Sequence, residues 1–258
     1  MKIKTARKFF IPLGVLAALV VNILADVIPL NGHTTVELFH QFKIFFSPAD
    51  YVYSLKILVY ILLIGFAVFQ FVPKSRGDEE KLDKIFPHFM IICVSKILWL
   101  FLWHYEQFVF TLIIMFVILR STLQINYILY LKKQSSNKIA RMLMYAPFSV
   151  YLGWITITTI ANATGLLWLI GWGGLTVYEG GWTTLMIVVS GVLGVIKILR
   201  DRDGFFPAVI IWVVIGIYVK FPEVALIRYA VISSCLAIGA VALYEVLRII
   251  KQKKEIDY

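Results

Sequence analysis

Acid is scarce in this chain. Fifteen Asp and Glu residues stand against 25 Lys and Arg, and all four types together make up only 16% of 258 residues. With 60% of the residues hydrophobic, too little polar surface remains to coat a water-soluble globule. Cysteine is scarcer still: Cys93 and Cys235 both fall inside apolar runs, which gives a disulfide framework no support and suits small packing residues. There is no Gly-rich phosphate loop, no CxxC pair and no HExxH motif, so the chemistries that depend on those spacings have no footing. No low-complexity tract occurs either.

What the chain has in quantity is long apolar runs. Eight of them, at 9–30, 51–72, 87–104, 107–131, 142–166, 182–200, 204–220 and 223–250, have the length that a hydrocarbon core of about 30 Å requires at 1.5 Å per residue. The expected fold class is all-α, a polytopic transmembrane helix bundle of about eight spans. Lys and Arg punctuate the runs in alternation. Lys2, Lys4, Arg7 and Lys8 precede the first; Lys74, Arg76, Lys81 and Lys84 follow the second; Lys132, Lys133, Lys138 and Arg141 follow the fourth. Lys197, Arg200 and Arg202 follow the sixth, and Arg248, Lys251, Lys253 and Lys254 follow the last, against only Lys43 and Lys220 in the opposite loops. This bias reads as membrane topology rather than nucleic-acid binding, and it places both termini on the cytoplasmic side, with the plasma membrane as the expected location. The first run continues through Leu30 and has Ile23 where a cleavage site would want a small residue, so it reads as a retained first helix rather than a leader.

Between the runs, Lys74 to Lys84 reads as a solvated cytoplasmic loop. The segment 31–50 places Val36, Phe39, Phe42 and Phe46 at helical spacing, as an interfacial helix over the outer mouth would. Gly171 to Trp182 reads as an outer loop whose Trp172, Tyr178 and Trp182 anchor at the headgroups. In the last span, Ala230, Ser233, Ala237 and Ala240 offer a small-residue face for close helix approach.

Ionisable residues inside spans are costly, which makes Asp26, Lys56, Lys96, Arg120 and Arg228, with Glu245 near the inner end, the default functional candidates. Helical spacing extends some of them into stripes. Asn22 pairs with Asp26; Tyr53, Lys56 and Tyr60 share a face, as do Lys96, Trp99 and Trp103; Tyr151, Trp154, Thr158 and Asn162 run along the fifth span. Such walls suit an amphiphile, with aromatic rings supplying stacking area and a cation taking an acidic group. The same residues also suit a purely structural role: an Asp26–Lys56 pair, an interhelical Lys96, and Trp as packing. His33, Glu37 and His40 have a spacing that could hold a metal but lack second-shell partners, and no metal site is assigned. Ser54 and His104 are conceivable as nucleophile and base, with nothing in the sequence to bring them together.

The fifth span, Pro147-Phe-Ser-Val-Tyr-Leu-Gly-Trp-Ile-Thr-Ile-Thr-Thr-Ile-Ala-Asn162, resembles the P-Y-L-x-W-x-x-F-A-x-x-L-N region of the translocator-protein or tryptophan-rich sensory protein (TspO/MBR) family. Tyr151, Trp154 and Asn162 keep that family's spacing. Pro48-Ala-Asp-Tyr-Val-Tyr-Ser, leading to Tyr60 and Gly65, resembles the entry into its second helix, and Ser95-Lys-Ile-Leu-Trp99, leading to Trp103-His-Tyr, resembles the N-x-x-W segment of its third. Lys56 stands near a family Trp, Lys96 stands where Asn is usual, and Pro147 lies four residues before Tyr151 rather than beside it. The resemblance covers about residues 9–166, and longer eight-span relatives look similar throughout. It implies a five-helix bundle over 1–166, a three-helix extension over 167–258, and a pocket beneath the loop joining the first two helices. It also implies porphyrins or other hydrophobic ligands, sterols among them, and a part in tetrapyrrole or stress signalling.

Together the two readings give a membrane sensor or binding protein for an amphiphilic, anionic, tetrapyrrole-like molecule. Its expected ligand residues are Asp26, Tyr53, Lys56, Tyr60, Lys96, Trp99, Trp103, Tyr151, Trp154, Thr158 and Asn162. No catalytic residue, metal or cofactor is assigned beyond that ligand. A transporter is the alternative, with Gly191 and Gly194 as a slight hint of a broken helix. A lipid-modifying enzyme is disfavoured by the shortage of paired acids and bases. The three C-terminal spans could cover the bundle's lipid face, form a homodimer contact or host a signalling partner.

Overall fold

A helix in lipid satisfies every backbone N–H and C=O internally, so apolar runs of this length have essentially one available structure. A computed structural model describes residues 2–28, 30–72, 75–131 and 138–256, with side chains also left undescribed at 2, 3, 26, 131, 138, 140, 141, 173–178 and 253–256. Nine α-helices lie among the described residues: α1 (Lys2–Val27), α2 (Thr35–His40), α3 (Leu55–Phe69), α4 (Arg76–His104), α5 (Phe108–Leu131), α6 (Lys138–Leu169), α7 (Gly173–Asp201), α8 (Phe205–Lys220) and α9 (Ala225–Ile256). A 3-10 turn, Asp50–Ser54, leads into α3. Seven helical spans among the described residues are long and apolar enough to cross a membrane, α3 being counted with its 3-10 entry as Asp50–Phe69. The eighth expected span, α8, has 16 residues, which rise about 24 Å, short of a full hydrocarbon core.

The described chain divides into two compact units, one of residues 1–43 and 54–170, the other of residues 44–53 and 171–258. In the first, α1 packs on α3 and α4, α3 on α6, α4 on α5, and α5 on α6, so that five helices close a ring with α2 seated on α4. Phe66, Phe89 and Phe148 meet inside that ring with centroids 4.9, 5.6 and 6.0 Å apart. These rings, from α3, α4 and α6, form a floor across the bundle.

Helix α6 is the most enclosed member, and its many hydroxyls explain how it can be. Thr156, Thr158, Thr159 and Thr164 each donate to the carbonyl four residues earlier, at 2.6 to 2.9 Å. A hydroxyl bonded to its own helix is buried without an orphaned donor. Asn126 Nδ2 joins α5 to α6 by donating to Phe148 O at 3.0 Å.

The charged stretch 75–84 is not a loop. Ser75 caps α4, its Oγ accepting from Asp78 N–H at 3.2 Å, and Asp78 and Glu79 in the first turn suit the positive end of the helix dipole. Helix formation carries Glu79 and Asp83 to α1. There Arg7, fully buried, pairs with Glu79 and has its Nε 3.4 Å from Asp83, while Lys4 reaches Glu79 at 3.1 Å. The sequence reading gave Arg7 only a topological role because nothing in a linear chain shows the carboxylates arriving.

In the second unit, α7, α8 and α9 pack against one another. Gly171 to Trp182 is likewise helical from Gly173 onward rather than a loop, although Trp172 and Trp182 do meet edge to face at 5.3 Å. The close-approach face of α9 differs from expectation. Ser233, Ala237 and Ala240 are exposed, and Ile227, Ala230, Ser234 and Ile238 are buried. A Cβ at Gly191 would stand 2.8 Å from Ser234 Cβ, and one at Gly194 2.9 Å from Ile238 Cδ1. The glycines thus lie under α9 side chains in an unbroken helix, which removes the hint of a transporter hinge.

Replacing Glu79 by Gln strips a buried guanidinium of its nearest charge and is expected to cost about 3 kcal/mol, seen as a lower midpoint of thermal unfolding in detergent. Arg7→Met combined with Glu79→Gln should lose less than Glu79→Gln alone. Equal or greater loss in the double variant would mean the pair is not what holds α1 to α4.

Candidate functional site

Asn31 and Gly32, with φ of 55° and 84°, reverse the chain after α1, a left-handed pair that Asn-Gly tolerates well. The reversal lays residues 31–43 back over the end of α4. Asn31 Nδ2 donates to His104 O at 3.0 Å, and Trp103 Nε1 donates to Thr35 O at 3.2 Å. The buried His104 has Nδ1 2.8 Å from Leu100 O, which requires a proton on Nδ1 and leaves Nε2 facing Thr35 Oγ1 at 3.5 Å. His104 is therefore part of the hold on this cap, not a base for Ser54.

Helix α2 is capped reciprocally. Thr34 Oγ1 accepts from Glu37 N–H at 3.3 Å, and Glu37 Oε2 accepts from Thr34 N–H at 2.7 Å. That use of Glu37 accounts for its presence without a metal, and no group of three or more metal-ligating side chains occurs among the described residues. The helix is shorter than the periodicity of residues 36–46 predicts. It ends at His40, and Phe46 belongs to the second unit.

Beneath the cap, aromatic rings converge on Trp103. Phe39 stacks on it at 6.3 Å, Phe42 tilts against it at 5.8 Å, and Phe108 meets it edge-on at 5.2 Å. Phe42 also meets Trp168 at 5.9 Å and lies 3.5 Å from the Cβ position of Gly165. One turn down α4, Trp99 stacks on Trp103 at 5.3 Å with an interplanar angle of 18°, and Lys96 Nζ lies 4.2 Å from the Trp99 ring centroid. Trp99 is buried, and its Nε1 has no hydrogen-bond partner among the described residues. A cation, two stacked indoles and an unspent N–H donor thus occupy consecutive turns of α4, between the Phe floor and the cap.

The structure treats the other expected ligand residues unequally. Tyr151 is buried on α6, and Trp154 and Lys56 are half-buried. Tyr60 OH donates to Ala18 O at 3.2 Å and so ties α3 to α1. Thr158 is bonded to its own helix, at Trp154 O and Ile155 O. Buried Asn162 accepts from Thr111 Oγ1 at 3.2 Å, a second α5–α6 tie. Tyr53 falls in the second unit, on a 3-10 turn whose period breaks the stripe expected with Lys56 and Tyr60. The side chain of Asp26 lies outside the described residues. What the sequence reading missed is the cap's hold on α4 through Asn31, Thr35 and His104; the Asn-Gly pair at 31–32 was the available signal of a tight reversal.

An all-α bundle with seven long apolar spans among the described residues defines an integral, multi-pass membrane protein. A family model described as TSPO-like protein matches residues 8–244, and the chain belongs to that family. The match runs on through α7, α8 and most of α9, beyond the 9–166 on which the sequence resemblance was drawn. Comparison with curated proteins and with solved structures yields no match. Membership suggests a membrane ligand-binding or sensor protein.

The hydrogen bonds from Thr34 hold the Glu37 carboxyl below its ordinary 4.5. A lowered value stabilises the cap above the ordinary carboxyl range and is lost as pH falls through it. Amide exchange in Thr35–His40, corrected for intrinsic rates, should therefore be flat from neutral pH to about 5 and rise below about 4. In Glu37→Gln that rise should vanish; its persistence would assign the pH dependence to another group.

Proposed function

We propose that this protein binds an amphiphilic small molecule carrying an acidic group, of the tetrapyrrole kind, against Lys96, Trp99 and Trp103, and acts as a membrane sensor of it. The carrying observation is the indole N–H of Trp99. Buried donors are nearly always satisfied, and leaving one unpaired costs about 1–3 kcal/mol. A carboxylate oxygen of a ligand would satisfy it, while the adjacent ammonium neutralises the charge and the Trp99–Trp103 stack offers a flat apolar wall. Tyr151, Trp154 and Lys56 are the next candidates to contact such a molecule. The distribution of Lys and Arg supports a cytoplasmic position for both termini in the plasma membrane.

The test is a tryptophan-fluorescence titration of detergent-purified protein with protoporphyrin and, separately, with a neutral sterol. Wild type should bind protoporphyrin saturably. Trp99→Phe keeps the stacking face and removes the N–H, so affinity should fall between about twofold and tenfold, the worth of one hydrogen bond. Lys96→Met should erase the preference for the acid over the sterol. Porphyrin binding indifferent to both substitutions would sink this assignment of the site.

A further inference from the structure

Helix α5 spends one side on its own unit, where it packs on α4 and α6 and buries Met115, Ile118, Thr122, Ile125 and Leu129. Its opposite side carries Phe110, Ile113, Val117, Arg120, Gln124 and Tyr127, all exposed except the half-buried Gln124. Successive steps of three, four, three, four and three residues make these a single seam, of the kind by which one membrane helix packs along another. An apolar seam by itself simply faces lipid. Arg120 makes this one different.

Depth makes Arg120 a candidate from sequence alone, and the structure adds that it is exposed rather than turned into the bundle. On the 24 residues of Phe108–Leu131 it stands about 18 Å from the first and about 17 Å from the last, at 1.5 Å per residue. Arginines near a helix end escape the hydrocarbon by extending to the headgroups, but from here the side chain spans less than half the distance. Nor is the charge met within the protein. Among the described residues the Arg120 side chain makes no ion pair or hydrogen bond, and the Gln124 amide one turn along makes none either. Ionisable side chains inside a span almost always have a partner.

The chain's own acids do not supply that partner. None of its 15 Asp and Glu residues stands at the middle of a spanning helix. Asp83 on α4 and Glu245 on α9 come nearest, and they are in ion pairs with Arg7 and with Arg202 and Arg248. Asp26 lies at the end of α1. A second copy seated on the same seam would set Arg120 against Arg120, like charges in a medium that screens them little.

We propose that this face of α5 docks a transmembrane helix of another protein, one that carries an aspartate or glutamate at mid-depth. Arg120 forms a bidentate pair with that carboxylate, and Gln124 adds a hydrogen bond beside it. The apolar seam supplies packing, while the ion pair selects the partner and fixes its register. The surface lies within one unit, shares no residue with the ligand site proposed above and does not depend on it.

The experiment is energy transfer in phosphatidylcholine vesicles between full-length protein labelled at a terminus and synthetic leucine–alanine transmembrane peptides that differ only at the central residue: Glu, Leu or Lys. Wild type should bind the Glu peptide about five- to tenfold more tightly than the Leu peptide, and the Lys peptide more weakly than either. Arg120→Leu should bind the Glu and Leu peptides alike, and Arg120→Glu should transfer the preference to the Lys peptide. Equal binding of the Glu and Leu peptides by wild type would overturn the proposal. So would a Glu preference that survives Arg120→Leu. Should Arg120→Leu fail to fold, Arg120→Lys, which keeps the charge but loses the bidentate fork, must lower the Glu preference for the proposal to stand. Two other occupants have their own signatures, and either would overturn the partner helix. If lipid phosphate meets Arg120, no peptide is preferred, and the thermal midpoint rises with the fraction of phosphatidylglycerol in wild type but not in Arg120→Leu. If a second copy does, energy transfer between two labelled batches of the protein appears with no peptide present and is lost in Arg120→Leu.

Discussion

In hydrocarbon a polar group has no water to fall back on, and that constraint shapes the five-helix ring more than any single contact. Each helix must bury an apolar face, but apolar faces alone do not choose neighbours in lipid, because the acyl chains are as apolar as the side chains. Neighbours are chosen by polar ties. Arg7 with Glu79 and Asp83 sets α1 against α4, Tyr60 with Ala18 O sets α3 against α1, and Asn126 and Thr111–Asn162 fasten α5 to α6 near both ends. Where a hydroxyl has no such duty, as along α6, it bonds to its own helix and leaves the packing face effectively apolar.

Against that background an unsatisfied group carries information. The ring spends the Asn126, Thr111 and Tyr60 donors on structure, and the cap is held by the Asn31 and Trp103 N–H groups. Trp99 differs from its stacked neighbour Trp103 in this respect: both rings are buried, but among the described residues only the Trp103 indole nitrogen has an acceptor. With Lys96 lying over the same ring, stacking, charge and a directed donor come within two turns on one face of α4, which is what supports the proposed ligand site there.

The three C-terminal helices belong to a compact unit of their own. Their internal packing is that of a compact bundle, with Gly191 and Gly194 admitting α9 side chains onto α7. The same unit includes residues 44–53, of which Ile44, Phe46, Ser47, Pro48 and Val52 are buried. The family match continues across α7, α8 and most of α9.

Legibility divides along the same physical line. Composition and run length determined by themselves that the chain is a membrane helix bundle, since lipid permits helices and little else, and the Lys96, Trp99, Trp103 stripe followed from helical period because α4 is regular there. Family membership was legible in residues 147–162. Period also misled where backbone departed from the α-helix, as at Tyr53 on its 3-10 turn, or where a helix ended early, as α2 does before Phe42 and Phe46. Thr158 and Asn162 shared the right face but were already hydrogen-bonded, to their own helix and to Thr111, and no spacing rule shows whether a donor has been spent. Only the tertiary structure decided that Arg7 is buried among carboxylates, that Asn31 and His104 hold the cap, and that residues 44–53 belong with α7, α8 and α9. Each of these joins residues tens to more than a hundred positions apart, and a linear chain records which groups need partners but not which ones the fold brings to them.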